Sequence, residues 1–430
     1  MEILSMGEKI KRKRKEIGMT LKDLAGNRIT PGQISLVESG KSNPSMDLLE
    51  YLAERLNTSV EYLIESEEKQ AEKNCTYFEN IAESYIINDY LIQAEEYTDR
   101  ALYYAEKYNL DSKRAKDIFL KGKIYMAKKE YPLAQQYFLS ANVIFIKNNQ
   151  YDQIINTFIY MGKITMILKS YQSSCNYFKQ AEEVYNNCNF GNDFLIGKIY
   201  YYMASVYFKL EDIEKAISYS YLAKEKFKQV NNNSEYAKVV FLMADEYNKK
   251  GDLNNAIKYS RKALDMYKSI NDLGNTAKIE NNLGKLFYEF DNIEESFIHL
   301  NKSKELRIKI KDPDIIETLK NICENYIKLK DIENAKKILH EILDKIQKSD
   351  DKLLIQYYLL KYRIEILEDN KKQAENTLID ALKYADNMNF VEESGEIAIL
   401  VGKFYIENGD SNKAAKYLSM GVDVLKNFKS

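Results

Sequence analysis

The sequence predicts an all-α protein: a compact head of five short helices, then an α-solenoid of about nine repeated helix pairs. Two observations carry this. Only 4 Pro and 16 Gly interrupt 430 residues rich in Lys, Glu, Leu, Ala and Ile, a composition that favours helix almost throughout. From residue 82 onward, a small residue followed three later by an aromatic one recurs about every forty residues.

Charge narrows the function classes. The 63 basic and 65 acidic residues leave a formal net charge of −2, so nucleic-acid binding has to come from a local patch. Cys75, Cys175, Cys188 and Cys323 show no ligand spacing and read as reduced thiols. The N-terminus lacks an apolar signal region, and no run approaches the ~18 apolar residues of a membrane span. The expectation is a soluble cytoplasmic protein that does not engage the membrane. Catalysis is not expected. His299 and His340 have no metal-ligand companion and read as surface or packing residues, and no P-loop, GxSxG or HExxH occurs. No catalytic residue, metal or cofactor is therefore assigned.

The head spans residues 1–65. Its first helix, Met6 to Glu16, carries Lys9, Lys11, Arg12, Lys13, Arg14 and Lys15. Thr20 caps the second, with Asp23 three residues on; Leu21, Leu24 and Ala25 face inward. Thr30 caps the third, Pro31 takes its first position, and Gln33 completes a capping box. Ile34 and Val37, one turn apart, bury that helix against the second. Ser45 and Ser59 cap the fourth and fifth. Two short helices joined by a tight turn inside such a unit are the DNA-reading arrangement.

The run Ile-Ser-x-x-Glu-x-Gly-Lys-x-x-Pro-Ser at Ile34 to Ser45 resembles the Cro/C1-type helix-turn-helix family over about 60 residues. That resemblance implies binding to a double-stranded DNA operator through Arg28, Thr30, Pro31, Gly32, Gln33, Ser35, Leu36 and Lys41. The recognition helix holds no Arg or Lys, so base reading rests on Gln33, Ser35 and apolar contacts to thymine methyls. Phosphate anchoring falls to Arg28, Lys41 and the first-helix basic cluster, which could equally be a solvated face. Ten basic against ten acidic residues from Met1 to Glu65 leave the head uncharged overall, so a single copy binds weakly and a dimer is expected.

Residues 66–73 read as a charged connector that could simply continue as helix, and residues 74–430 as the solenoid. The small/aromatic pairs are Ala82/Tyr85, Gly122/Tyr125, Ala204/Tyr207, Ala244/Tyr247, Gly284/Phe287 and Gly402/Tyr405, with Gly162/Thr165 and Cys323/Tyr326 keeping part of the pattern. Twelve residues beyond most markers comes another small residue, and seven beyond that a third. Small residues belong where paired helices cross closely, and aromatics fill the space beside them. This resembles tetratricopeptide repeats, each lengthened from 34 to about 40 residues by longer second helices and linkers.

Such stacks present a concave groove. Counting from the markers places Tyr160, Lys163, Tyr201, Tyr202, Ser205, Phe241, Asp245, Asn281, Asn282, Lys285, Asn321 and Glu324 in it, as candidates to hold a peptide. Asn281 and Asn282 suit an extended backbone, since an amide both donates and accepts. The C-terminal repeats are expected to form the dimer surface through exposed Ile399, Leu400, Tyr405 and Leu418.

Head and repeats together resemble the peptide-pheromone regulators of Gram-positive bacteria, the Rgg/Rap/NprR/PlcR/PrgX family, with NprR-like members closest in length. The resemblance implies homo-oligomers, a short signalling peptide as ligand, and quorum-dependent transcription regulation. Some members also bind a response regulator of a phosphorelay. A protein-interaction scaffold or phosphorelay inhibitor is the alternative reading.

Overall fold

A computed structural model describes residues 2–188, 191–346 and 351–429. Among the described residues there are 23 helices and no strand. They fall into two compact units, Met1–Leu210 and Glu211–Ser430.

The first unit opens with the head: α1 (Met6–Glu16), α2 (Leu21–Ala25), α3 (Pro31–Glu38), α4 (Met46–Arg55) and α5 (Val60–Ile64). α2 to α5 start at the Ser or Thr that the sequence marks and α1 at Ser5, which it does not; Ser5, Thr20 and Thr30 form complete capping boxes. Ile10, Leu24, Ile34, Leu52, Leu56 and Leu63 make its core. Gly7 lets α1 cross the end of α3: a Cβ there would stand 2.5 Å from the Val37 carbonyl oxygen.

Then come α6 (Glu67–Ile87), α7 (Leu91–Lys107), α8 (Asp111–Ala127), α9 (Tyr131–Lys147), α10 (Tyr151–Ile167), α11 (Tyr171–Asn187) and α12 (Asp193–Lys209). The connector is thus the beginning of α6, capped by Ser66. The second unit holds α13 (Ile213–Gln229), α14 (Asn233–Lys249), α15 (Leu253–Ser269), α16 (Leu273–Glu289), α17 (Ile293–Ile310), α18 (Ile315–Lys328), α19 (Ile332–Lys345), α20 (Asp351–Leu367), α21 (Lys371–Asn387), α22 (Val391–Glu407) and α23 (Ser411–Lys429). Within the first unit α6 packs on α7, α8 on α9 and α10 on α11; within the second α14 packs on α15, α16 on α17, α18 on α19, α20 on α21 and α22 on α23.

Most of these helices have 17 residues. The lengthening over 34 is therefore shared by both helices of a pair, not confined to the second. Among the described residues, one left-handed residue closes most of the turns, as at Asp89, Asn109, Lys129, Asn149 and Lys169 in the first unit. It lets the next amide reach back, as Tyr90 N–H does to the Tyr85 carbonyl at 2.9 Å.

The marker glycines sit where the spacing demands. A Cβ on Gly122, Gly162, Gly284 or Gly402 would meet the side chain sixteen residues on, Phe138, Phe178, Leu300 or Leu418, at 2.5–2.7 Å. Serines at the next small position, Ser174 and Ser296, donate to the Gly162 and Gly284 carbonyls at 2.7 Å. The marker aromatics stack twelve residues on: Tyr85 on Tyr97, Tyr125 on Tyr137, Tyr247 on Tyr259, Phe287 on His299 and Tyr405 on Tyr417.

Candidate functional site

On the head, Ile34 and Val37 anchor α3 in the core and turn Pro31, Gly32, Gln33, Ser35 and Leu36 outward, all exposed. Thr30 Oγ1 accepts from the Gln33 amide at 3.2 Å, and Gln33 Oε1 accepts from the Thr30 amide at 2.9 Å. The Gln33 oxygen is thereby committed to the cap, and its NH2 group points a donor outward.

Lys41 is exposed, as are Lys11, Lys15 and Lys22, and none of the four is in an ion pair. The rest of the basic set is engaged within the head, so Lys11 and Lys15 are the cations of the first helix left outside ion pairs. Lys9 is buried, donating to the Tyr62 and Glu65 carbonyls at 2.9 and 2.7 Å. Arg14 pairs with Glu38, Arg12 with Glu2 and Glu16, and Lys13 with Glu16. Arg28 bonds Asp47 and lies over the Tyr51 ring, so its charge is balanced within the head.

The head is bonded to the first repeat. Gln70 on α6 accepts from the Leu4 amide at 3.1 Å and donates to the Leu4 carbonyl at 2.9 Å, while Lys73 pairs with Glu65.

In the rest of the first unit, Lys163 lies over the rings of Tyr160 and Tyr202 at 5.0 and 5.6 Å, with Tyr201 edge-on to Tyr202. Ser205 donates to the Tyr201 carbonyl at 2.9 Å. All five are half-buried.

In the second unit the expected groove set divides. Asn282, half-buried, donates to Asp245 at 3.1 Å; Lys285 pairs with Glu317 at 2.6 Å, and Glu324 with Arg363. Asn321 donates to the Asn281 oxygen at 3.0 Å. Asn281 itself is fully buried and Phe241 is 8% exposed, so neither lines an open groove. Both lie three residues before a marker, Gly284 or Ala244, and residues three apart share a helix face, here the packing face.

Three hollows follow one another along α16, α18, α20 and α22. A 210 Å3 hollow is lined by Lys285, Tyr288, Asn321, Glu324 and Asn325. Glu324 also lines a second of 300 Å3, with Leu359, Arg363 and Leu400. Lys320, Gln356, Leu359 and Leu400 continue into a third of 460 Å3, floored by Ile355 and Ile397 and rimmed by Lys352, Glu393, Glu396 and Lys403. Residues on α20 and α22 were absent from the expected set. The register that picks out Lys285 and Glu324, one past the marker, would have reached Arg363 and Lys403.

At the C-terminus, Ile399, Leu400 and Leu418 are half-buried and Tyr405 is buried, which corrects the expectation that they are exposed. Tyr405 is 5% exposed and donates to Glu375 at 2.6 Å, Leu418 seats on Gly402, and Ile399 lies beside Gly421. The exposed apolar side chains of this repeat instead include Ile406 and Val422. His299, too, is buried, with Nδ1 2.6 Å from Glu280.

Among the described residues, no three His, Cys, Asp or Glu are placed to hold a metal, and no helix is long and apolar enough to cross a membrane.

These features define a helix-turn-helix head joined to a tetratricopeptide solenoid. Residues 10–63 match the Helix-turn-helix family and residues 237–270 the Tetratricopeptide repeat family. The fold is that of the Rap and NprR regulators. The apo form of RapI superposes with a TM-score of 0.63 at 16% identity, covering 83% of this chain and 98% of that one. The apo quorum sensor NprR from B. thuringiensis gives 0.60 at 16%, covering 84% and 100%. A Rap protein complexed with Competence and Sporulation Factor gives 0.54 at 12%, covering 83% and 98%. No curated protein matches the sequence.

Proposed function

We propose that this protein is a DNA-binding transcriptional regulator whose solenoid binds a short signalling peptide, and that the peptide alters oligomeric geometry and DNA binding. One observation carries the reading: the same chain has an outward, firmly capped α3 and a series of hollows with apolar floors and charged rims on successive first helices. Apolar hollows take side chains, while Asn282, Asn321 and Gln356 offer amides to a backbone. On DNA, Gln33 acts as a donor to a base acceptor, Ser35 and Leu36 flank it, and Lys41 holds a phosphate. Two heads in a homodimer supply the affinity that one uncharged head lacks. The likeness to RapI and NprR supports this through fold.

The second reading is a scaffold that sequesters a signalling protein such as a response regulator. It is favoured by the internal pairing of most head basic residues.

Selection of random duplex DNA on the full chain tests the choice. Enrichment of a two-fold-related site, lost from residues 71–430 alone, supports the regulator. Titration with short peptides, on wild type and on Arg363→Ala with Leu400→Asp, then tests the groove. No enriched site would hand the case to the scaffold.

A further inference from the structure

Buried in α8 is a carboxyl with no partner for either oxygen. Asp117 is 0% exposed, and neither Oδ1 nor Oδ2 is hydrogen-bonded. Glu79 on α6 is buried as completely. Its Oε2 takes Lys116 Nζ at 2.8 Å and Lys113 Nζ at 3.3 Å, while its Oε1 is unpartnered.

The charges that bear on Asp117 come from Glu79 and from Lys113 and Lys116 on its own helix. Both ammonium groups bond Glu79, and Lys113 also bonds Thr76 Oγ1 at 2.8 Å. Cys75 on α6 donates its thiol to the Ala101 carbonyl of α7. The α7 acids Asp99 and Glu95 are paired with Lys121 and Lys128, and Lys147, the one charge of α9, with Asp111. Lys123, further along α8, is in no ion pair but does not bear on Asp117, whose only nearby cations are Lys113 and Lys116.

An ionised carboxylate without a hydrogen bond or counter-charge, away from water, is strongly disfavoured. We infer that Asp117 is held as the neutral acid near neutral pH, facing the ionised Glu79, and that the α6–α8 seam is a proton-binding site that loosens when this proton leaves. Burial first, then the Glu79 charge, pushes the Asp117 carboxyl up to about 8. On release, the O–H bond breaks, the electron pair stays on the carboxylate and the proton goes to water. Two carboxylates then share a seam whose ammonium groups are bonded to one of them, so α6 and α8 must separate or admit water. Through the Gln70–Leu4 and Lys73–Glu65 bonds, that change reaches the seat of the head.

Isotope-edited infrared spectra of the full chain test this. Wild type minus Asp117→Asn should show a protonated carboxyl stretch at about pH 6.5 that has gone by about pH 9.5. Glu79→Gln, by removing the facing charge, should lower the midpoint by about half a pH unit or more. Over the same range, α6 and α8 amide exchange, normalised for intrinsic chemistry, should quicken about fivefold in wild type. An ionised carboxylate already at the lower pH, a midpoint unmoved by Glu79→Gln, or exchange that follows intrinsic chemistry alone would overturn the proposal. If Asp117→Asn does not fold, carbon-13-labelled aspartate in wild type and Glu79→Gln gives the same readout. None of these measurements depends on DNA or peptide binding.

Discussion

Arg14 grips Glu38 through two parallel hydrogen bonds, Nε to Oε1 at 2.6 Å and Nη2 to Oε2 at 2.8 Å. The pair fastens α1 to the last residue of α3, and its side chains are only 11% and 6% exposed. Glu38 is the glutamate of the Ile-Ser-x-x-Glu run, so that motif position is explained by head architecture. Glu38→Ala strands a nearly buried guanidinium and is expected to destabilise the head by about 2–3 kcal/mol. The chain has no Trp, so amide exchange of α1 and α3 is the direct probe. Arg14→Met combined with Glu38→Leu should recover most of the loss. Wild-type exchange rates in Glu38→Ala would show that the pair contributes nothing.

Gly162 is a close-approach glycine, with a hypothetical Cβ 2.5 Å from the Phe178 ring. Gly162→Ala should cost about 1–3 kcal/mol through overpacking, despite the higher helix propensity of alanine. Adding Phe178→Leu should return part of it. A more stable Gly162→Ala in urea unfolding would mean that the α10–α11 crossing is looser than described.

Glu246 on α14 is fully buried and accepts from Ser220 Oγ at 2.8 Å. Burial outweighs that bond and pushes its carboxyl up to about 8. The folded state therefore holds this proton more tightly than the unfolded chain does. Its contribution is fully present below the ordinary glutamate range and is lost as pH climbs towards 8. Glu246→Gln removes the titration. Unfolding at a series of pH values should show wild type losing up to about 1.4 kcal/mol per pH unit relative to the variant, until the loss levels off near 8. Parallel profiles would assign the ionised form to the folded state.

For the head on DNA, Lys41→Ala should weaken binding to all sequences alike and lower the log–log salt slope by about 1. Gln33→Ala with Ser35→Ala should relax base preference by about 1–3 kcal/mol at the positions they read, with the slope unchanged. Because Gln33 also caps α3, Gln33→Glu, which keeps the acceptor and removes the donor, separates the two roles. Anisotropy titrations across a salt series decide between them. Equal selectivity in Gln33→Glu and wild type would rule out the donor role.

Much of this architecture was readable because its constraints are local. Ser5 aside, every cap of the head was visible as a Ser or Thr before an apolar run, and the markers recur because Gly122 and Gly162 leave no room for another side chain. Misreadings came where the deciding partner is distant in sequence. Arg14 looked like a free cation because Glu38 is 24 residues away. Asn281 looked like a groove residue because a polar side chain on the packing face is unusual; there Asn321, 40 residues on, engages it. His299 stands twelve residues beyond Phe287, at the stacking position of the repeat, but nothing in the sequence pointed to its pairing with Glu280, nineteen residues back. The hollows around Leu400 are the product of three helices and correspond to no motif.

The left-handed turn residues at 89, 109, 129, 149 and 169 beat at intervals of twenty. Such a chain has a unit of exchange. Loss or duplication of forty residues removes or adds one whole pair and leaves every later contact in phase. A change of twenty swaps first helices for second along everything downstream, exposing packing faces and burying groove faces. A single-residue deletion rotates the remainder of its helix by about 100° and misaligns one marker with its ring. Length variation in descendants of this gene should therefore come in steps of about forty residues, with smaller indels confined to the turns.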